Sequence, residues 1–404
     1  MTARTNDRHE DVPAVPRWSL ADVTRPALVW AAIWFVLVRI QELTWPGGRA
    51  VARLGLLDLV RLPVHPDDGR AAFDSGVYMT IAAHGYRISD QLEAGFPGYA
   101  LAMRATAALL GIRVVYAGVL LSAMFGLGIA ILLWRWLTLV GITDRARWVS
   151  WLLVMLWPFA FLFYGVVYAD GMVVAAVLAT LILAERQRWV LAGIAGALAT
   201  ATRPNAVPIV VVLVVMVLEQ SGTVTVAGRR LRWHRGQLRW AHAGVLLSVV
   251  GIGSYSLWLW HHAGNPLYWG WLQTHRYGHT PIWHPWAWLK FPAWRPLIGP
   301  QEWVHEALSF ALLLGALATV PAAARRLGLA YGTFIALAVA ESWSGTYNFS
   351  PSGRYLLPCL PVLAAVWGPW LAERRGWSIT VLVASGVACA GLAAGFASGY
   401  PLNW

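Results

Sequence analysis

Four charged side chains stand beside hydrophobic runs, where an unpaired charge is expensive: Asp74, Asp170, Arg203 and Arg354. Asp74 lies in Phe73-Asp74-Ser75-Gly76-Val77-Tyr78, which continues to Ile81-Ala82-Ala83-His84-Gly85-Tyr86. A carboxylate just outside an apolar segment can act as a general base, taking a proton from a hydroxyl that reaches it through a wet cleft. The plainer reading is a helix N-cap, the carboxylate accepting a backbone N–H of the short helix that starts there. Asp170 follows a proline-interrupted aromatic run, Trp157-Pro158-Phe159-Ala160-Phe161-Leu162-Phe163-Tyr164. It can orient an acceptor, a cation or a nearby arginine, or it can cap a helix starting at Gly171. Arg203 opens the break Arg203-Pro204-Asn205, with Thr200 and Thr202 beside it. Its planar fork of donors suits a phosphate, and satisfying the broken backbone is the alternative. Arg354, in Gly353-Arg354-Tyr355-Leu356-Leu357-Pro358-Cys359-Leu360-Pro361, sits at the mouth of another apolar run. It can neutralise a departing phosphate or serve as an arginine that snorkels to the interface.

The stretch 261–284 is dense in rings: His261, His262, Tyr268, Trp269, Trp271, His275, Tyr277, His279, Trp283 and His284. Aromatic platforms suit sugar rings, and an interfacial belt that anchors helices uses the same residues. Its histidines lack the His-Glu-x-x-His spacing of a zinc site, and the chain has neither a phosphate-cradling GxxxxGK[ST] nor a strand-linked GxGxxG. These absences argue against a sugar nucleotide as direct donor. Cys359 and Cys389 fall inside apolar runs and suggest neither a metal site nor a disulfide.

The elements that must position these side chains follow from composition. With 58% apolar and 12% charged residues over 404 positions, the chain is too apolar for a soluble domain and reads as a polytopic membrane protein. Its net charge of +12 is spread in short arginine clusters between hydrophobic runs, the pattern of orientation signals and not of nucleic-acid binding. Lys290 is the one lysine among 31 basic residues, a composition that points to a GC-rich, actinobacterial-like genome. Residues 1–25 are polar and form a cytoplasmic tail, and 27–43 reads as an uncleaved anchor.

Eleven apolar runs approach the ~20 residues that span hydrocarbon, beginning at Ala27, Val114, Trp148, Val167, Trp189, Asn205, His242, Trp303, Leu327, Tyr355 and Ser378. The segment 96–112 is left outside this set, because Pro97 opens it and Arg104 at its centre would cost ~3 kcal/mol in lipid. It is expected to lie along the outer surface. With the N-terminus inside, Arg145 and Arg147, Arg186 and Arg188, the cluster Arg229 to Arg239, Arg325 and Arg326, and Arg374 and Arg375 all fall in the cytoplasm. The same parity places Asp74, Asp170, Arg203 and Arg354 on the outer side. Residues 26–404 then form one transmembrane domain, with a first outer loop at 46–112 and a long outer loop at 261–302.

In order, these segments resemble the GPI mannosyltransferase 2 (PIG-V-like) family of GT-C glycosyltransferases, in its bacterial branch, from about Asp74 to Pro361. Phe73-Asp74 through Gly85-Tyr86 is similar to the family's Trp-Asp, Tyr, Ile-Ala, Gly-Tyr stretch, and Gly95-Phe96-Pro97-Gly98-Tyr99 to its Phe-Pro-x-Tyr-Pro. Tyr168-Ala169-Asp170 stands for Tyr-Ser-Glu, and Ala199-Thr200-Ala201-Thr202-Arg203 for its small residues and arginine. Gly264-Asn265-Pro266-Leu267 with Gln273 resembles Gly-Asp-Pro-Leu and Ala-Gln, and Arg354-Tyr355-Leu356-Leu357-Pro358 resembles Ser-Arg-Tyr-x-Leu-Pro. Phe73 replaces Trp, Asp170 replaces Glu, Ala100 replaces the second Pro, and Asn265 replaces Asp, so position 265 has no carboxylate for a metal or an acceptor.

The resemblance implies an all-α GT-C bundle of about 11 transmembrane helices, with a juxtamembrane helix region on the outer face between the first two spans. It also implies a polyprenyl-phosphate-mannose donor in the cell membrane and an inverting transfer from the extracytoplasmic side. The acceptor is then a glycolipid, a lipoglycan or a protein. Asp74 would be the base, and Arg354 and Arg203 would hold the donor phosphate. Asp170, Tyr78, His84, Gln273, His275, Arg276 and His279 would support sugar or acceptor. No cofactor is required; a divalent metal fits the scheme, but arginines can neutralise a monophosphate without one. Two other classes compete: a transporter or flippase of lipid-linked sugars, which would also carry broken helices and intramembrane arginines, and a non-catalytic membrane scaffold.

Overall fold

The computed structural model describes residues 19–45, 70, 71, 73–227, 230–234, 236–276, 300–344, 349 and 351–399. His279, most of the 1–25 tail and parts of the 46–112 and 261–302 loops lie outside the described residues.

Local signals set the helix ends. Ser19 and Asp22 cap each other reciprocally and open α1 (Leu20–Thr44). Two short helices follow, α2 (Ser75–His84) and α3 (Pro97–Leu110); the second opens on a proline, whose missing N–H costs nothing in a first turn, and closes on left-handed Gly111. Then come α4 (Val114–Leu139), α5 (Asp144–Met155), α6 (Asp170–Glu185), α7 (Trp189–Thr202) and α8 (Pro208–Gln220). Short 3₁₀ turns, Pro158–Phe163 and Pro204–Ala206, separate α5 from α6 and α7 from α8. A longer 3₁₀ stretch, Trp240–Val249, continues into α9 (Val250–Ala263), and α10 (Tyr268–His275) follows. The described chain ends with α11 (Pro300–Arg326), α12 (Leu329–Ser344), the one-turn α13 (Ser352–Tyr355), α14 (Leu360–Ala372) and α15 (Arg375–Ala397).

The chain is thus an α-helical, membrane-embedded protein. Among the described residues, five helical segments are long and apolar enough to cross a bilayer: Leu20–Thr44, Val114–Leu139, Trp240–Ala263, Glu306–Arg326 and Arg375–Ala397. Helices also stand near the other six expected starts, but α5, α6, α7, α8, α12 and α14 are only 12 to 16 residues long. That is shorter than the ~20 residues of a typical span.

Two local expectations need correction. The arginine-rich segment after α8 is not simply a loop: β1 (Val224–Ala227) pairs antiparallel with β2 (Arg230–Trp233), Val224 opposite Trp233. The β-branched run Val224-Thr225-Val226 favours a pleated strand. The tenth apolar run does not begin its helix at Tyr355. It turns through Leu356 to Cys359 before α14 starts at Leu360, because Pro358 cannot donate to a continuing helix and biases Leu357 away from it. In segment 96–112 the exposed Arg104 reaches back to α2: its Nε donates to the Ala82 carbonyl at 2.6 Å, near the C-terminal end of that helix.

Glycines allow the closest helix contact. A Cβ on Gly193 of α7 would strike the carbonyl of Gly244 in the 3₁₀ stretch, and one on Gly251 of α9 would strike the carbonyl of Ala197. Small residues let backbones approach where lipid supplies no hydrophobic drive. The large core holds fully buried Trp136, Trp151, Phe161, Phe163, Tyr164 and Tyr168. A second cluster gathers Tyr78, Tyr99, Met103, Val167 and Ala169. The turn before α6 therefore lies at the seam of the two, since Tyr168 belongs to one cluster and its neighbours to the other.

Candidate functional site

All four charged residues come together at that seam, where their helices end. Phe73, immediately before Asp74, has φ +56°, a left-handed conformation unusual for a bulky residue and costing ~1–3 kcal/mol. Its ring packs on Phe396 of α15, with centroids 5.4 Å apart. This turn points the Asp74 carboxylate away from its own helix: Asp74 makes no side-chain cap for α2, and its Oδ2 accepts from Arg354 Nη1 at 3.2 Å, 280 positions away in the chain. The Asp74 backbone N–H donates to the Tyr168 hydroxyl at 3.2 Å. N-capping therefore does not account for Asp74.

Arg354 does not snorkel. Its side chain is 6% exposed, while that of Asp74 is 43% exposed. The guanidinium carbon lies 5.6 Å from the ring centre of Tyr168 and 5.7 Å from that of Tyr355, and Nε is buried without a hydrogen-bond partner. Gly353 makes this burial feasible, since a Cβ there would collide with the Phe159 ring, and the Gly353 carbonyl accepts from Trp157 Nε1 at 3.0 Å.

Asp170 and Arg203 form the second pair. Arg203 Nη1 donates to Asp170 Oδ2 at 2.5 Å, with side-chain exposures of 8% and 1%. Asp170 makes no side-chain cap for α6, so capping does not explain it either. The Arg203 guanidinium also lies over the Tyr355 ring, at 5.7 Å, and Tyr355 is thus shared by both arginines.

Exposure separates the two pairs. Asp74 is near half exposed, so another anion can reach Arg354 and take the place of its carboxylate, whereas the buried guanidinium left with no anion would be a stranded charge. Breaking a buried pair by removing one partner costs ~3–5 kcal/mol, so Arg203 is held by Asp170 and acts chiefly on its surroundings. The half-exposed Asp74 is the carboxylate that a hydroxyl can reach; Asp170 is enclosed.

Tyr78 sits one turn along α2 from Asp74, its ring edge-on to Tyr99 at 5.4 Å and near Tyr168 at 6.3 Å. Burial, the largest cause, pushes its phenol up to about 12, so it stays a neutral hydrogen-bonding group. Tyr99 is itself fixed by its hydroxyl to the Gly118 carbonyl at 2.9 Å and to Ser122 Oγ at 2.8 Å. Other expected supporters are not brought here. His84 is exposed at the far end of α2, ~15 Å from Asp74 by helix rise. Gln273, His275 and Arg276 lie on or just after α10, which packs on the 3₁₀ turn Asp90–Ala94. The His275 ring stacks on Trp271 at 4.3 Å, and among the described residues no hydrogen bond or ion pair joins these three to Asp74 or Arg354. Asn265 accepts the Leu267 amide at 2.9 Å, a turn-forming role. No group of three or more His, Cys, Asp or Glu is placed to hold a metal ion among the described residues.

Sequence reasoning passed over Tyr168, Tyr355, Asn205 and Glu341. Glu341 lies inside the apolar helix α12, with Oε2 buried and unpartnered, and an acid within an apolar run was the available signal. Tyr168 and Tyr355 adjoin the singled-out Asp170 and Arg354, but nothing in the chain announces that their rings carry guanidinium groups.

Compared with protein-family models, curated proteins and solved structures, the chain shows no match. Fold and site together define a class, an α-helical membrane-embedded protein with two linked acid–arginine pairs where its helices end. Anything more particular rests on the chemistry of those pairs.

Proposed function

We propose that this protein is an inverting glycosyltransferase of the cell membrane. It moves mannose from a polyprenyl-phosphate-mannose donor to an acceptor hydroxyl on a glycolipid, lipoglycan or protein, at the extracytoplasmic face, in the manner of the PIG-V-like GT-C enzymes that its motifs resemble. The reading includes eleven crossings, six of them made by the shorter helices.

One observation carries it: a half-exposed carboxylate and a buried arginine from opposite ends of the chain meet in one ion pair, open on the carboxylate side to an exchanging anion. In the reaction, the donor phosphate takes the Arg354 guanidinium, which releases Asp74. Asp74 accepts the acceptor hydroxyl's proton as that oxygen forms its bond to the anomeric carbon. The bond from that carbon to the phosphate oxygen breaks, its electron pair leaving with the phosphate, whose charge Arg354 neutralises. A single displacement inverts the centre, so a β-linked donor gives an α-mannoside. Arg203, clamped by Asp170, holds Tyr355 and adds positive potential.

The test is incubation of purified protein with polyprenyl-phosphate-mannose and a membrane lipid extract, followed by mass analysis. Mannosylated product that disappears with Asp74→Asn supports the reading. Absence of any product, or movement of the intact lipid-linked sugar across liposomes without transfer, would overturn it, the latter in favour of a transporter.

A further inference from the structure

Behind the two ion pairs lies a set of buried polar atoms that the acid–base chemistry does not use. Asn205, in the middle of the turn Pro204–Ala206, is 2% exposed, yet neither its amide nitrogen nor its oxygen has a hydrogen-bond partner. Glu341 Oε2 on α12 is buried and unpartnered, as are Ser352 Oγ and Arg354 Nε on α13. The elements that carry these atoms pack together: α12 packs against both the Pro204–Ala206 turn and α13, and the Glu341 carboxylate lies within the field of Arg203, the residue before that turn. Folded proteins rarely leave buried donors and acceptors unsatisfied, and five such atoms on adjoining elements need an explanation.

The chemistry of the set narrows its occupant. An amide offers two donors and an acceptor, a carboxylate oxygen accepts, a hydroxyl does both, and Arg354 Nε donates. The guanidinium groups of Arg203 and Arg354, which share the Tyr355 ring, oppose a cation there. A neutral group with neighbouring hydroxyls, each donating and accepting, satisfies every one of these atoms. We propose that Asn205 and Glu341, with Ser352 and Arg354 Nε, form the subsite that reads the hydroxyl groups of the transferred sugar. This rests on the transferase reading above and adds to it the residues that select the sugar. Arg354 then has two tasks on two edges of one guanidinium: the Nη1 edge exchanges Asp74 for phosphate, and the Nε edge faces the sugar.

The experiment measures binding of polyprenyl-phosphate-mannose, polyprenyl-phosphate-glucose and bare polyprenyl phosphate to wild type, N205A and E341Q, together with mannose transfer by each. Loss of a hydrogen bond to a buried polar partner predicts about tenfold or greater weakening toward the mannose lipid, with affinity for bare polyprenyl phosphate unchanged and the preference for mannose over glucose reduced. E341Q is nearly isosteric and keeps a hydrogen-bonding group, so it serves if N205A melts early. Equal weakening toward all three lipids, or wild-type discrimination in both folded variants, overturns the subsite while leaving the transferase reading intact if transfer persists. A wild type that transfers no mannose overturns both.

Discussion

At the scale of single residues, the distinction that matters is between a charge that can change partner and one that cannot. Asp74 is near half exposed and accepts one 3.2 Å bond from the buried Arg354; Asp74→Asn keeps that acceptor, so it is expected to stay folded and to lose ~10²- to 10⁴-fold in transfer. Turnover close to wild type, measured on protein with an unchanged melting profile, would remove Asp74 as the base. For Arg354→Lys the expectation is a ten- to hundredfold fall, ~1.5–3 kcal/mol, because an ammonium cannot lie flat between Tyr168 and Tyr355 and bond at two edges. Wild-type kinetics in that variant would mean that charge alone suffices. Asp170 tests stability instead. Asp170→Ala strands Arg203 in the core and should cost ~3–5 kcal/mol, whereas Asp170→Leu combined with Arg203→Met should regain most of it. A single variant that melts like wild type in detergent would contradict the burial of this pair.

At the scale of elements, the site depends on places where backbone meets side chain or backbone. Gly251 of α9 approaches the Ala197 carbonyl and the Thr200 hydroxyl so closely that any Cβ displaces one of them. Gly251→Val should therefore separate α9 from α7 and shift the end of α7, where Arg203 sits. The expected result is a lower melting temperature together with weakened transfer; normal melting would show that this contact is looser than its geometry indicates. Gly353 works in the same way for α13, since its missing Cβ lets the Phe159 ring lie against the turn that carries Arg354. The far ends of these elements are less constrained. Helix α10 and its ring-stacked His275 pack on Asp90–Ala94, which suits a sugar-facing or interfacial surface more than the proton chemistry at Asp74.

For the whole molecule the decisive property is which side the site faces. On the topology proposed from the arginine clusters, the hairpin of β1 and β2 would face the cytoplasm and α10 the outside. Cys359 and Cys389 are both buried, so background labelling by a membrane-impermeant thiol reagent should be low. Single cysteines in place of Arg232 and Leu267, each at an exposed position, should then label from the cytoplasmic and the external side respectively. Labelling of both from one side would mean an even number of crossings between them, where the proposed topology has one.

Read as a chain alone, this protein already declares its solvent and the charged residues that its fold must accommodate. Apolar runs interrupted by arginines dictate a helical membrane protein, because no other open structure satisfies the backbone in lipid. Asp74, Asp170, Arg203 and Arg354 stood out because isolated charges beside apolar runs are costly unless used. Helix starts near Val114, Trp189 and His242 were legible from hydropathy, whereas the hairpin after α8 and the turn from Leu356 to Cys359 were missed in favour of charge and apolar run length. Pairing is what only tertiary structure decided. Asp74 could have met either arginine; it meets Arg354 because left-handed Phe73 turns it off α2 and the ring of Tyr168 seats the guanidinium opposite. Asn205 and Glu341 join the site for the same reason, since burial and the absence of a partner are properties of packing and leave no mark on local sequence.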